Sequence, residues 1–250
     1  MKRLLLLALF IIGSVAASGE SEFRIMTNKD GQTIEAKVVS HDGTRVTIET
    51  RNGTTYENVN ISIFSVSDRI YFKEWAAAAQ AAKDDAELKF DSKIKMFVKS
   101  SRDNDLNDKG DPDNREVEYE PAITFENEDK DLSFKDVRGT LVFIGESVLE
   151  KKEFHILYKE NFTVTIPRGE RVKWTGTPFK NIYDDFAANG SAFGAEYEGY
   201  LIVLYDKRDK AVITKASKTK WGRYHERILK ANISLGHIDN FSRTVPKSTY

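Results

Sequence analysis

The chain contains no cysteine in its 250 residues. That excludes disulfides, thiol nucleophiles, thiolate metal sites and lipoprotein-type acylation together, so packing alone must hold the fold. Charge of one sign is also missing in excess, since 38 basic residues face 39 acidic ones with no Lys/Arg-dense stripe interleaved with aromatics. Nucleic acid is therefore not an expected partner. Histidine is scarce, and His41, His155, His225 and His237 form no two-histidine helical pair or other metal pattern. No Gly-x-Ser-x-Gly elbow, Walker-type loop or dinucleotide fingerprint occurs, so the expectation is a protein without a cofactor and without catalysis. Gly190-Ser191-Ala192-Phe193-Gly194 has glycines but no strand-to-helix setting, and reads as a loop.

What is present begins with an export signal. Met1-Lys2-Arg3 is a basic start, Leu4 to Val15 an apolar run of about a dozen residues, and Val15-Ala16-Ala17 a small-residue site for cleavage after Ala17. The run is short for a span of ~20 residues, so the mature form has no stable membrane span. Losing residues 1–17 removes Lys2 and Arg3 and leaves 36 basic against 39 acidic residues. The expected place is secreted or periplasmic.

From Phe23 to Trp75 three polar turns separate alternating strands. The turns are Asn28-Lys29-Asp30-Gly31, His41-Asp42-Gly43 and Arg51-Asn52-Gly53; Asp-Gly and Asn-Gly are strong hairpin signals because Gly accepts positive φ. Period two puts Ile34, Ala36 and Val38 on one face and Val46 and Ile48 on the matching face of the partner strand. A meander of about four such strands is expected to curl into a small barrel. Ser65 and Asp68 stand at capping-box spacing before a helix carrying Tyr71, Trp75, Ala78 and Ala82 at helical intervals.

The ordered set Asp30-Gly31-Gln32-Thr33-Ile34-Glu35-Ala36, Asp42-Gly43, Val46-Thr47-Ile48, Asn52-Gly53 and Ser67-Asp68 to Trp75 resembles the Sla1 homology domain 1 family. The resemblance implies a small SH3-like barrel over residues 22–76. Members in fungal endocytic adaptors bind Asn-Pro-Phe-containing peptides, and look-alike copies occur in exported bacterial proteins.

Ala76 to Ala82 is nearly all alanine and Lys83 to Glu87 continues it in polar form, so residues 77–88 read as an Ala-rich linker helix. From residue 89 to 220 the period returns to two. Strands are expected at Lys93–Lys99, Val117–Glu126, Gly139–Ser147, Glu153–Lys159, Phe162–Pro167, Arg171–Trp174, Tyr197–Tyr205 and Ala211–Lys215, with turns such as Asp206-Lys207-Arg208-Asp209 between them. Eight strands without a βαβ rhythm argue for an antiparallel sandwich of immunoglobulin-like type. The fold class is thus all-β with a linker helix. Residues 221–250 read as a C-terminal helix and tail, with Tyr224, Ile228 and Leu229 on one side of a helix over Arg223–Leu229.

Two candidate sites stand out. Residues 105–116 fit a twelve-residue calcium loop, with Asp105, Asn107, Asp113 and Glu116 at positions 1, 3, 9 and 12 and Gly110 at the sharp turn. Lys109 at a ligand position and the lack of flanking helices favour a solvated acidic loop between strands instead. The second is aromatic: Trp174, Phe179, Tyr183 and Phe186 cluster in a turn-rich segment, followed by Tyr197, Tyr200 and Trp221. Exposed, Trp174, Tyr183 and Tyr197 would form a platform for sugar rings; buried, they would fill a β-core, which is the commoner use of such residues. Glu196 and Glu198 would share one strand face, with no carboxylate across a cleft to pair with them for glycoside hydrolysis. Six Asn-x-Ser/Thr sequons, at Asn52, Asn60, Asn161, Asn189, Asn232 and Asn240, would accept glycans in a host that glycosylates. The expected role is an exported, non-catalytic binding or structural protein of the cell envelope that engages a protein or peptide partner. The alternative is a carbohydrate-binding protein that uses the aromatics of residues 174–200.

Overall fold

The structure, a computed structural model, describes residues 22–106, 114–184, 192–233 and 235–245, the side chains of 101–106 and 114 excepted. The chain divides into two compact units, up to Lys83 and from Asp84 onward. Both are built mainly from antiparallel strands.

The first unit is a four-stranded meander, β1 (Arg24–Thr27), β2 (Thr33–His41), β3 (Arg45–Thr50) and β4 (Thr55–Asn60), in that spatial order. The three expected turns join them, with Gly31, Gly43 and Gly53 at φ of 79°, 97° and 83°. Among the described residues β1 and β4 do not pair, so the expected closed barrel is not formed. Helix α1 (Val66–Asp84) covers the apolar face instead. Phe72, wholly buried, meets Phe64 edge-on at 5.0 Å over Met26, Ala36, Val38, Val46 and Ile48. Burying the face under a helix removes the need to curl the sheet shut. The helix start is fixed as its spacing suggested: Ser65 Oγ accepts from Asp68 N (3.2 Å) and donates to Asp68 Oδ2 (2.7 Å). The buried Asp68 carboxylate also accepts from Thr27 N at 2.8 Å and from Arg24 at 3.2 Å, which ties the helix to β1.

Helix α1 runs without a break to Asp84, and Leu88, assigned on sequence to the linker helix, lies buried in the core of the second unit. That unit holds two sheets. In the smaller, β6 (Asn114–Asn127) pairs with β5 (Ile94–Leu106) along one edge. Its other edge is shared by β9 (Arg171–Thr175) and β10 (Phe179–Asp184). Pro121 marks the gap between those two, where its carbonyl accepts from Gly176 N at 2.8 Å. The larger sheet has six strands in the order β12 (Ala211–Ala216), β11 (Ala195–Tyr205), β7 (Phe134–Ser147), β8 (Phe154–Ile166), β13 (Gly236–Ile238), β14 (Arg243–Val245). Where eight strands were expected, β8 joins two of them into one, and β10, β13 and β14 are additional.

The sheets pack face to face. Val117, Tyr119, Ile123 and Phe125 of β6 meet Leu141, Phe143, Tyr158, Phe162, Ile202 and Leu204 of the larger sheet. A second core lies on that sheet's other face, where Trp221 of α2 (Thr219–Arg223), Ile228 of α3 (His225–Lys230) and Phe241 cover Val142, Ile144, Phe154, Ile156, Leu201 and Val203. With both faces covered, Leu141–Gly145 is buried residue after residue and loses the alternation of a half-exposed strand. The expected helix over Arg223–Leu229 is two short helices that break at Tyr224.

Candidate functional site

The platform aromatics singled out on sequence, Trp174, Tyr183 and Tyr197, lie at the core between the two sheets. Tyr183, in β10, is only 5 % exposed. Tyr197 lies against Phe143 and Tyr119, with ring centroids at 5.2 and 5.6 Å. Trp174, paired with Ile123 across β6, packs on Phe162 at 4.8 Å. With Phe179 stacked on Tyr158 at 4.7 Å, these rings are the aromatic filling between the two sheets. β9 and β10 turn these aromatic faces toward the larger sheet. The calcium-loop candidates are described only in part. Asn107 and Asp113 lie outside the described residues, as does residue 17. Asp105 sits in β5 directly opposite Glu116 of β6, so these two belong to a strand ladder, and the Glu116 carboxylate is paired with Lys180. Among the described residues no group of three metal-ligating side chains converges.

The histidines are held locally. His225 Nδ1 lies 3.0 Å from the Gly222 carbonyl, and the buried His237 holds the Asn232 carbonyl through Nε2 at 2.8 Å. His155 Nε2 meets Glu153 at 2.9 Å. Burial holds the His155 pKa below the usual histidine value; Glu153 opposes this and His237 adds to it.

A recess the sequence did not announce lies on the outer face of the six-stranded sheet, beyond the residues that α2 and α3 cover. It is a hollow of about 500 Å³ lined by Arg138, Thr140, Asn161, Thr163, Tyr205 and Asp209, with Gly139 and Phe162 beneath. The ladder of β7 and β8 places Arg138 opposite Thr163 and Thr140 opposite Asn161, so these four share one face as a two-by-two grid. Tyr205, at the end of β11, borders it. The rows are two residues apart, roughly 7 Å along the strand and about 5 Å across it.

The side chains are fixed by one another. Thr140, only 3 % exposed, donates its one hydroxyl proton to Asn161 Oδ1 at 2.7 Å, so the contact of 3.1 Å with Tyr205 is a bond donated by the tyrosine. This turns the Asn161 amide N–H groups and the acceptor lone pairs of Tyr205 outward. Arg138 is spent on the β11–β12 turn, where its guanidinium donates to the carbonyls of Asp206 and Lys207 at 3.2 Å and pairs with Asp209 at 2.5 Å. Asp206 builds that turn by accepting from Arg208 N (2.9 Å) and Lys210 N (2.8 Å), and Asp209 takes φ of 63° to aim its carboxylate at the arginine. A smaller hollow of about 230 Å³ shares Arg138 and Tyr205 and is bounded by Asp85 and Lys207, paired at 2.9 Å. The signal for this site is the change of character along one strand face: Val142 and Ile144 give way to Arg138 and Thr140 at the same parity.

No family model and no curated protein matches the chain. Among solved structures it is similar to a crystal structure from Akkermansia muciniphila, at 13 % identity over 50 % of this chain and 70 % of that one, with a TM-score of 0.28. It is also similar to a structural-genomics target designated SoR45, at 11 % identity over 50 % of this chain and 84 % of that one, TM-score 0.26. Red sea bream transglutaminase aligns at 11 % identity and TM-score 0.27 over 78 % of this chain, which spans only 25 % of that enzyme. Likeness at these scores carries neither fold nor activity across.

Proposed function

We propose that the protein is an exported, non-catalytic binding protein of the cell envelope, cleaved after Ala17, whose second unit holds a ligand in the hollow at Arg138, Thr140, Asn161 and Tyr205. In this reading the first unit is a Sla1 homology domain 1-like module in open form, and the second an immunoglobulin-like sandwich. One observation carries it: the hollow offers neutral hydrogen-bonding groups, and its two ionised residues, Arg138 and Asp209, are already engaged with each other. Such a lining orients a ligand by hydrogen bonds and supplies no activated base or nucleophile. Among the described residues no helix is long and apolar enough to cross a membrane.

A protein or peptide partner at the first unit is the second reading. Val66 and Ile70, one turn apart on α1, are 64 % and 52 % exposed, and Ile63 just before them is 47 % exposed. An apolar strip at the start of a helix suits a peptide that brings apolar side chains. Co-sedimentation of the mature chain with envelope polysaccharide and envelope protein tests both readings. Thr163→Lys is expected to cost retention that depends on the hollow, and Ile70→Glu retention that depends on the helix. A chain that washes free of both fractions has neither function.

A further inference from the structure

We infer that the ligand of the hollow is a neutral saccharide, an assignment that rests on the binding reading above. The argument comes from the pattern of free donors and acceptors. The Tyr205–Thr140–Asn161 chain of hydrogen bonds runs in one direction, because the single Thr140 proton goes to Asn161 Oδ1. It leaves the tyrosine oxygen as an acceptor at one end and the Asn161 N–H groups as donors at the other. Thr163, exposed beside Asn161, adds a hydroxyl that turns either way. A row that alternates acceptor, donor and adaptable hydroxyl matches vicinal hydroxyls, each of which both donates and accepts.

Charge selects against the other small polar ligands. An anion such as a phosphate or a uronate needs an uncompensated cation, yet Arg138 is engaged by Asp209 and by two carbonyls. A cation needs converging carboxylates, and Asp209 is the one carboxylate in the lining, already held by Arg138. The floor is strand backbone at Gly139 and Phe162. The open recess admits an internal unit of a chain as readily as an end.

The test is calorimetric titration of the mature chain with neutral hexasaccharides built of glucose, galactose or N-acetylglucosamine, with polygalacturonate as the anionic control. Saturable binding of a neutral hexamer is expected, weakened about tenfold by Asn161→Ala or by Tyr205→Phe, as the loss of one directed hydrogen bond gives. Thr163→Lys, at an exposed position, fills the recess and should abolish binding with the melting temperature unchanged. Binding of no neutral hexamer, equal binding of polygalacturonate, or indifference to all three variants overturns the assignment. If the hexamers fail while the chain is still retained by an envelope fraction and Thr163→Lys abolishes that retention, the saccharide falls and the binding reading stands. If it is retained by nothing, both fall.

Discussion

One face of the six-stranded sheet has two ends, and they are built from the same strands to opposite purposes. Toward Ile144 and Phe154 the face is apolar and lies under Trp221, Ile228 and Phe241. Toward Arg138 and Thr163 the side chains become polar, and among the described residues no helix covers them. The same strands serve both ends: β7, β8 and β11 run through both, with Val142 and Thr140 two residues apart on one face and a register shift in the β7–β8 ladder between Phe143 and Ile144. The difference teaches that cover is placed only where the strands carry apolar side chains, and that the uncovered end is satisfied by its own hydrogen bonds rather than by burial.

The comparison breaks most readily at Trp221. It is 1 % exposed and meets Phe154 edge-on at 5.9 Å, so Trp221→Ala should cost about 3–5 kcal/mol, as large-to-small core changes do. Thr163→Ala at the open end should move stability by no more than about 0.5 kcal/mol. Denaturant unfolding of both variants checks this, and equal losses would mean that the helices are not what holds the face.

Thr140 stands between the two ends and gives the next effect. Thr140→Val keeps its shape and loses the bonds to Asn161 and Tyr205, at about 1 kcal/mol, because both partners can turn to water. A gain in stability would mean that the network strains the sheet, and would remove the reason for the outward direction of its donors.

How much of this was legible follows from the same contrast. The hairpin turns at Gly31, Gly43 and Gly53 could be read from their residues because positive φ is a local demand. Barrel closure could not, since Phe72 shields the sheet from far along the chain. Strand β8 read as two, Glu153–Lys159 and Phe162–Pro167, with the polar Glu160-Asn161 left between them; Asn161 in fact lies within the strand and faces the hollow. Strand β10 was hidden behind Thr175-Gly176-Thr177-Pro178, and with it went the placement of Tyr183. Periodicity tells that a strand has two faces but not which one meets another sheet, so Trp174, Tyr183 and Tyr197 could be paired with one another and not placed in the core. The hollow draws on β7, β8 and β11; these strands and the turn at Asp206–Asp209 could be read beforehand, but not which of their faces come together.

The covered end has a margin sensitive to acid. At the β8–β13 edge, burial depresses the pKa of His155 below 6.5, Glu153 pulling the other way and His237 adding to the depression. The unfolded chain therefore takes up this proton first as pH falls. The contribution of the neutral ring is complete above the unfolded value of 6.5 and is lost as pH drops from there through the folded pKa. Melting temperature should fall between about pH 7 and about pH 5 in the native chain, and less steeply in His155→Gln. Identical slopes would show that other groups carry the acid sensitivity.

The smallest effect is expected at the open end, from Asp209→Ala. The ion pair with Arg138 is short, but the two side chains are 71 % and 43 % exposed, so water screens the attraction and the loss should stay under about 1 kcal/mol. Its consequence for binding should be larger than for stability. Without Asp209 the guanidinium keeps its two carbonyl partners and gains an uncompensated charge beside Asn161 and Thr163. The hollow should then begin to accept polygalacturonate, which the native lining is expected to refuse, with melting nearly unchanged. An Asp209→Ala protein that still ignores the anionic polymer would show that the pair does not set the charge preference of this face, and that selectivity lies in the Thr140 network alone.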